Sequence, residues 1–222
     1  FDPSGKCVFF GAEDNGVHRL DLATKAVASL TAHDSWVRAL GCSPDGNTLY
    51  SGGYDGRLIF WPAQAEKPSP LQVIEAHQGW LRALAVSPNG ERIATCGNDN
   101  RVKLWDASTS KPVATLSGHA HHVYNIAFHP SGESLVSCDL KGNVKLWNVA
   151  SLALERDLPA AAALYKYDTT FRADIGGARS LAFRADGQQL ALGGITNVTN
   201  AFAGIGNAAV VLYDLAQRKI AR

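Results

Sequence analysis

The sequence predicts an all-β fold, a β-propeller built from four-stranded antiparallel blades, on three observations. A tight-turn motif recurs as "DPSG" at Asp2, "SPDG" at Ser43, "SPNG" at Ser87 and "HPSG" at His129, with the variant "RADG" at Arg184. The steps between these turns are 41, 44, 42 and 55 residues. A histidine recurs at His33, His77 and His119, and an aromatic ring closes the later units at Trp61, Trp105, Trp147 and Tyr213, with Leu20 in that place in the first. Markers that keep one period describe one supersecondary unit stacked repeatedly.

The units run approximately over 1–30, 31–74, 75–116, 117–158 and 159–222, and the third shows the elements most clearly. "LRALAVS" is its first strand, "ERIATCG" its second, "RVKLWD" its third and "PVATLS" its fourth. Short β-rich runs punctuated by Gly, Pro, Asn and Asp are the hairpin signal. In the x-P-D/N-G turn, Pro presets φ and Gly accepts a positive φ. The first strands end in Ala39-Leu40-Gly41-Cys42, Ala83-Leu84-Ala85-Val86, Asn125-Ile126-Ala127-Phe128 and Ser180-Leu181-Ala182-Phe183. One face is small, the other large, and both are mostly apolar, so these strands are expected to be buried on both sides. Small faces against large ones suit sheets set side by side around an axis.

Composition bounds the function. Of 222 residues, 46% are apolar and 18% charged, the balance of a packed core. A net charge of +1 lacks the basic stripe of a nucleic-acid binder, and no run of 18 apolar residues is present to span a membrane. Cys7, Cys42, Cys96 and Cys138 lie far apart with no C-x-x-C pair, which argues against zinc knuckles and a disulfide framework. Together with the lack of a signal-peptide pattern, this favours a reducing, cytoplasmic setting. The chain has no Met, so a mature form or an excerpt is expected.

"GH" at Gly118-His119 and "WD" at Trp105-Asp106, in units of about 42 residues, resemble WD40 repeats, strongly in units two to four and more weakly at both ends. The resemblance implies a propeller, commonly of seven blades, that serves as a platform for partner proteins. Seven blades of this length need about 295 residues. The chain therefore reads as a partial view, about five units cut mid-blade at both ends.

The resemblance also implies a hydrogen-bonded set of His, Ser or Thr, Asp and Trp. The matching residues are His33, Ser51, Asp55 and Trp61 in unit two, and His77, Thr95, Asp99 and Trp105 in unit three. Unit four supplies His119, Ser137 and Trp147, but Lys141 stands where the Asp is expected, which predicts a looser turn there. Unit one keeps Asp14 alone, and unit five has Asp174 at the His place. Ser, His and Asp are also the groups of a nucleophilic triad. A triad is needed once, however, whereas this set repeats and adds an indole that only donates a hydrogen bond. No catalytic residue is assigned.

Two insertions break the period, "LPAAAALYKYDTTFRAD" (158–174) and "GGITNVTNAFAGIGNAA" (193–209), and each is expected to be a long loop. Gly204 to Ala209 fits G-x-G-x-x-A, but a strand pattern comes after it where a dinucleotide site needs a helix, so no cofactor is assigned. Asn197 opens a glycosylation sequon that matters only in a secreted chain. His119, His121, His122 and His129 cluster, but only His121 and His122 lack another role, and two neighbours make no metal site without a third ligand.

In a propeller, the loops joining successive units and the loops between second and third strands share one end. By position that end carries Trp36, Arg38 and Tyr54; Trp80, Arg82 and Asn98; His122, Tyr124 and Leu140; and Arg179. Trp, Tyr and Arg are enriched in interface hot spots, and guanidinium groups grip carboxylates. The reading is a non-catalytic scaffold that binds proteins or peptides, acidic ones among them, through this face. The alternatives are a propeller-fold hydrolase, such as a lactonase-like enzyme, which needs a metal or acid/base cluster, or a sensor domain of a larger chain.

Overall fold

The computed structural model describes residues 1–66, 68–170, 172–200 and 205–221. Sheet one has three strands, β1 (Cys7–Gly11), β2 (Val17–Asp21) and β3 (Val27–Leu30). Sheet two has four, β4 (Val37–Cys42), β5 (Thr48–Gly53), β6 (Arg57–Pro62) and β7 (Gln72–Glu75). Sheet three continues with β8 (Leu81–Val86), β9 (Arg92–Gly97), β10 (Val102–Asp106) and β11 (Pro112–Leu116). Sheet four is β12 (Val123–Phe128), β13 (Ser134–Asp139), β14 (Val144–Asn148) and β15 (Ala153–Leu158). A separate hairpin, β16 (Tyr165–Asp168) with β17 (Ala173–Gly176), precedes sheet five. Sheet five comprises β18 (Ser180–Phe183), β19 (Gln189–Asn200), β20 (Ile205–Asp214) and β21 (Lys219–Ile220).

Every sheet is an antiparallel meander in chain order, the arrangement expected of propeller blades. The repeated turns behave as their residues require: Gly5, Gly46, Gly90, Gly132 and Gly187 all have φ between 70° and 77°, where a Cβ is disfavoured. The chain forms two compact units. Residues 1–99 and 103–115 make the first, and residues 100–102 and 116–222 the second.

Within the first unit, alternation along sheet two sends side chains to both neighbours, since successive strand residues face opposite sides. Leu49, Ile59 and Trp61 pack with Val17 and Leu30 of sheet one. Tyr50, Leu58 and Phe60 pack with Leu81, Ile93 and Trp105 of sheet three. Burying each such side chain is worth about 1.5–3 kcal/mol. In the second unit Val136, Cys138, Val144 and Leu146 of sheet four pack with Leu190, Leu192, Val211 and Tyr213 of sheet five.

Burial corrects the sequence expectation about first strands. β4, β8 and β18 are largely half-buried, whereas five of the six residues in each of β5, β9 and β13 are buried. A first strand is the edge of its sheet, bonded to a neighbour on one side only. The second has a strand on each flank.

The described residues of the insertions are mostly strand rather than loop. The first folds into a 3-10 turn at Ala162–Leu164 and the β16–β17 hairpin. The second lengthens β19 to 12 residues and β20 to 10.

Candidate functional site

In sheets two, three and four the same polar chain links the loop before the first strand to the second and third strands. Trp61 Nε1 donates to Ser51 Oγ at 2.8 Å, Ser51 Oγ lies 2.7 Å from His33 Nε2, and His33 Nδ1 lies 2.8 Å from Asp55 Oδ2. In sheet three, Trp105 donates to Thr95 at 2.9 Å, and His77 reaches Thr95 at 2.8 Å and Asp99 at 2.9 Å. In sheet four, Trp147 donates to Ser137 at 2.8 Å, and His119 reaches Ser137 at 2.7 Å.

One proton assignment satisfies every atom. The indole donates to the hydroxyl oxygen, the hydroxyl donates to Nε2, and Nδ1–H donates to the carboxylate. The imidazole is then neutral. Protonating it would turn Nε2 into a donor and leave the hydroxyl proton without an acceptor. Burial holds His77 below its ordinary pKa despite the opposing pull of Asp99. Burial works to raise Asp55, but bonds from His33, Arg57 N and Asp34 N outweigh it and keep the carboxyl ionised.

Sheet four departs from the sequence expectation. The carboxylate is Asp139, whose Oδ2 lies 3.0 Å from His119 Nδ1; Lys141 instead reaches Asp174 at 3.4 Å. Asp139 also accepts from Lys141 N, Asn143 N and Asn143 Nδ2, each at 3.0 Å. The turn is therefore tightly bonded rather than loose. Asp139 occupies the place of Gly53 and Gly97. A Cβ on Gly53 would lie 2.7 Å from both His33 Nδ1 and Asp55 Oδ1. Where the glycine is replaced, the carboxylate can grow from that point. An Asp in a glycine place is the sign that reading the repeat by spacing overlooks.

Among the described residues, sheet five has no such chain. The pairings Leu40↔Ser51 and Leu181↔Leu192 put Leu192 at the serine place, and Leu49↔Trp61 and Leu190↔Tyr213 put Tyr213 at the tryptophan place. Leu164, 1% exposed, packs beside Gly194, whose place matches Gly53. Asp174, which spacing put in the histidine place, does not take it: Leu164 fills that space, and Asp174 accepts from Tyr165 Oη at 2.6 Å. In sheet one, Asp14 lies 3.1 Å from His18 Nε2.

The candidate partner-facing residues fall into two sets, one in each unit. In the first unit, Trp36, Tyr54 and Trp80 stack. Trp36 and Tyr54 are 6.3 Å apart at 28°, and Tyr54 and Trp80 are 4.1 Å apart at 11°. The Arg82 guanidinium sits 5.0 Å from the centre of the Trp80 ring, and its Nε donates to Asn98 Oδ1 at 2.5 Å. Arg38 is exposed, as are Trp36 at 53% and Trp80 at 42%. In the second unit, the Arg179 guanidinium lies 4.9 Å from the centre of the Tyr124 ring, and His122 Nδ1 lies 3.2 Å from Asn100 Oδ1. Asn100 was not among the sequence candidates; its only sequence signal is its place beside Asp99.

Backbone bonds hold both sets. Tyr54 N donates to Trp36 O, Asn98 N to Trp80 O and Leu140 N to His122 O, at 2.9, 3.0 and 3.0 Å. Each clasps the turn after a second strand to the start of the first strand.

The histidine cluster disperses. His119 belongs to the polar chain, and His129 bonds Ser131 Oγ at 2.8 Å and Gly187 O at 3.1 Å. Among the described residues, no group of three His, Cys, Asp or Glu is placed to hold a metal ion. Gly204 lies outside the described residues, and the chain enters strand β20, not a helix, immediately after it. Asn197 is exposed, with φ at 51°. Among the described residues, no helix is long and apolar enough to cross a membrane.

A family profile described as "WD domain, G-beta repeat" matches residues 24–62, 68–106 and 110–148, three consecutive stretches that together cover more than half of the chain. No curated protein matches it.

Proposed function

The chain belongs to the WD40-repeat family, whose repeats act generally as protein-interaction scaffolds, and on that premise we propose that it is a non-catalytic platform binding a partner protein or peptide through the Trp36–Tyr54–Trp80 face. The observation that carries this reading is the stack itself. Three aromatic rings lie in register with Arg82 against the last, and the two outer rings stay largely open to solvent. Large aromatic surfaces held rigid cost little entropy on binding, and Trp, Tyr and Arg dominate interface energetics.

Arg38 and Arg82 bias the face toward carboxylate-bearing segments, since a planar guanidinium pairs with a carboxylate through two parallel bonds. The shared geometry of the polar chains supports a structural role for them. Each is fully bonded within itself, and none offers a free nucleophile.

The test is binding to an array of acidic, neutral and basic peptides. The acidic set should bind, and Trp36→Ala or Arg38→Ala should weaken binding by about 30-fold, the roughly 2 kcal/mol of a hot-spot residue. Acidic peptides that bind the Trp36→Ala and Arg38→Ala chains as tightly as the parent would rule out this face.

A further inference from the structure

His77 and Trp80 stand at the two ends of one short loop, and that loop is gripped from both sides. On the side of sheet three, a Cβ on Gly97 would lie 3.1 Å from His77 Cγ and 2.5 Å from Trp80 O, so ring and carbonyl both close on the same bare backbone. Asn98 N donates to that carbonyl at 3.0 Å. On the side of sheet two, the loop rests on the turn that carries Tyr54. Gly56 O in this turn accepts from Ala76 N and from His77 N, each at 3.0 Å, and a Cβ on Gly56 would lie 2.4 Å from His77 O and 2.7 Å from Gly79 O. With its path fixed in this way, the loop lays the Trp80 ring on Tyr54 at 4.1 Å.

The imidazole is the side chain that pins the loop to its own sheet. It is 0% exposed, with Nε2 2.8 Å from Thr95 Oγ1 and Nδ1 2.9 Å from Asp99 Oδ1. Two charged groups act on it. Asp99 comes from the turn between β9 and β10, and Lys103 of β10 has its Nζ 3.6 Å from Asp99 and donates to Ala76 O. From sheet two, Asp55 and Arg57 flank Gly56, but Asp55 bonds His33, and Arg57 pairs with Asp34 and Glu75. A proton added to Nε2 faces the Thr95 hydroxyl, whose oxygen already accepts from Trp105 Nε1, and the hydroxyl proton loses its acceptor. Burial opposes the added charge more than Asp99 favours it. Once the loop opens, the ring returns to water, where it titrates near about 6.5. Falling pH below that value therefore favours the open loop, which binds the proton more tightly than the closed one.

We propose that His77 is a proton-operated latch on the aromatic face: when it takes up a proton the loop leaves Gly97, Trp80 parts from Tyr54, and the bound partner is released as pH falls. Release rests on the binding face proposed above, whereas opening of the loop does not. Histidine suits this task because its charge changes close to physiological pH.

NMR on the full chain without any partner tests the latch, with His77→Gln as the variant that cannot gain a charge. From pH 7.5 to pH 5.5, the Tyr54 and Trp80 ring-proton shifts of the parent should move toward unstacked values, following the titration of the His77 ring signal. In His77→Gln the same shifts should stay constant. The parent alone also decides the matter: Tyr54 and Trp80 shifts that hold still while His77 titrates would overturn the latch, as would an equal movement in His77→Gln. A second arm measures an acidic peptide. If a tenth of the parent stays latched at pH 5.5, its affinity should fall about tenfold, since only the latched fraction binds, and the loss should be smaller in His77→Gln. An acidic peptide that binds the parent equally at both pH values while the ring shifts move would overturn release. A peptide that fails to bind at pH 7.5 would instead count against the face itself, and the ring shifts would still judge the latch.

Discussion

His77 shows how much one proton matters in these sheets. Its ring is neutral because Nε2 must accept from Thr95 while Nδ1 donates to Asp99. Its pKa is depressed on folding, so the unfolded chain binds the proton more tightly. Stability from this residue is complete above the ordinary histidine value of about 6.5 and declines as pH falls below it. Urea titrations at pH 7.5 and pH 5.5 should therefore show a lower midpoint at the acid pH, with the difference reduced in His77→Gln. Asp139 sets a larger stake. Removing its carboxylate leaves His119, Asn143 and two backbone amides without their acceptor, and a buried donor left unpaired costs about 1–3 kcal/mol. Asp139→Ala should lower stability by about 3 kcal/mol in denaturant unfolding, near the upper end of that range. Lys141→Ala, at the position the repeat pattern singles out, should change it far less. The histidines, hydroxyls and indoles were legible from spacing, because each sits at a fixed register on its strand. Asp139 was not, because it reaches the same imidazole from a different backbone position.

At the scale of elements, the four-strand unit was legible down to its turns. Hairpin chemistry is local: Pro and Gly at fixed offsets dictate where the chain reverses. Burial was less so. An apolar first strand reads as fully covered, yet edge position leaves it half-open, and no local pattern distinguishes an edge from an interior strand. The insertions were misread as loops because Ala-, Asn- and Gly-rich runs carry turn signals even where they form a twelve-residue strand. The first insertion has a structural task in sheet five. Leu164 enters where other sheets place histidine, over Leu192 and beside Gly194, so an apolar contact replaces a polar chain. Leu164→Ala should cost about 2–5 kcal/mol by leaving a cavity, measured by thermal or urea unfolding. That loss should not vary between pH 7.5 and 5.5, unlike the contribution of His77, since no titrating group in the contact changes its proton count.

For the whole molecule, near-neutral charge and a 46% apolar composition set the general class, and the period set the architecture of each sheet. The proposed binding face was legible only in part. Sequence position brought Trp36, Tyr54 and Trp80 to the same end, but their stacking and the bond from Arg82 to Asn98 depend on how neighbouring sheets meet. Those contacts are long-range, which no reading of one segment supplies.

The main-chain clasp beneath that surface has a consequence for how such a molecule can diversify. Trp36 with Tyr54, Trp80 with Asn98 and His122 with Leu140 are three different side-chain couples on the same amide-to-carbonyl link. Because the link uses no side-chain atom, these are interchangeable sockets: the side chains that the proposed binding face presents can be rewritten while the folding instructions beneath them remain the same.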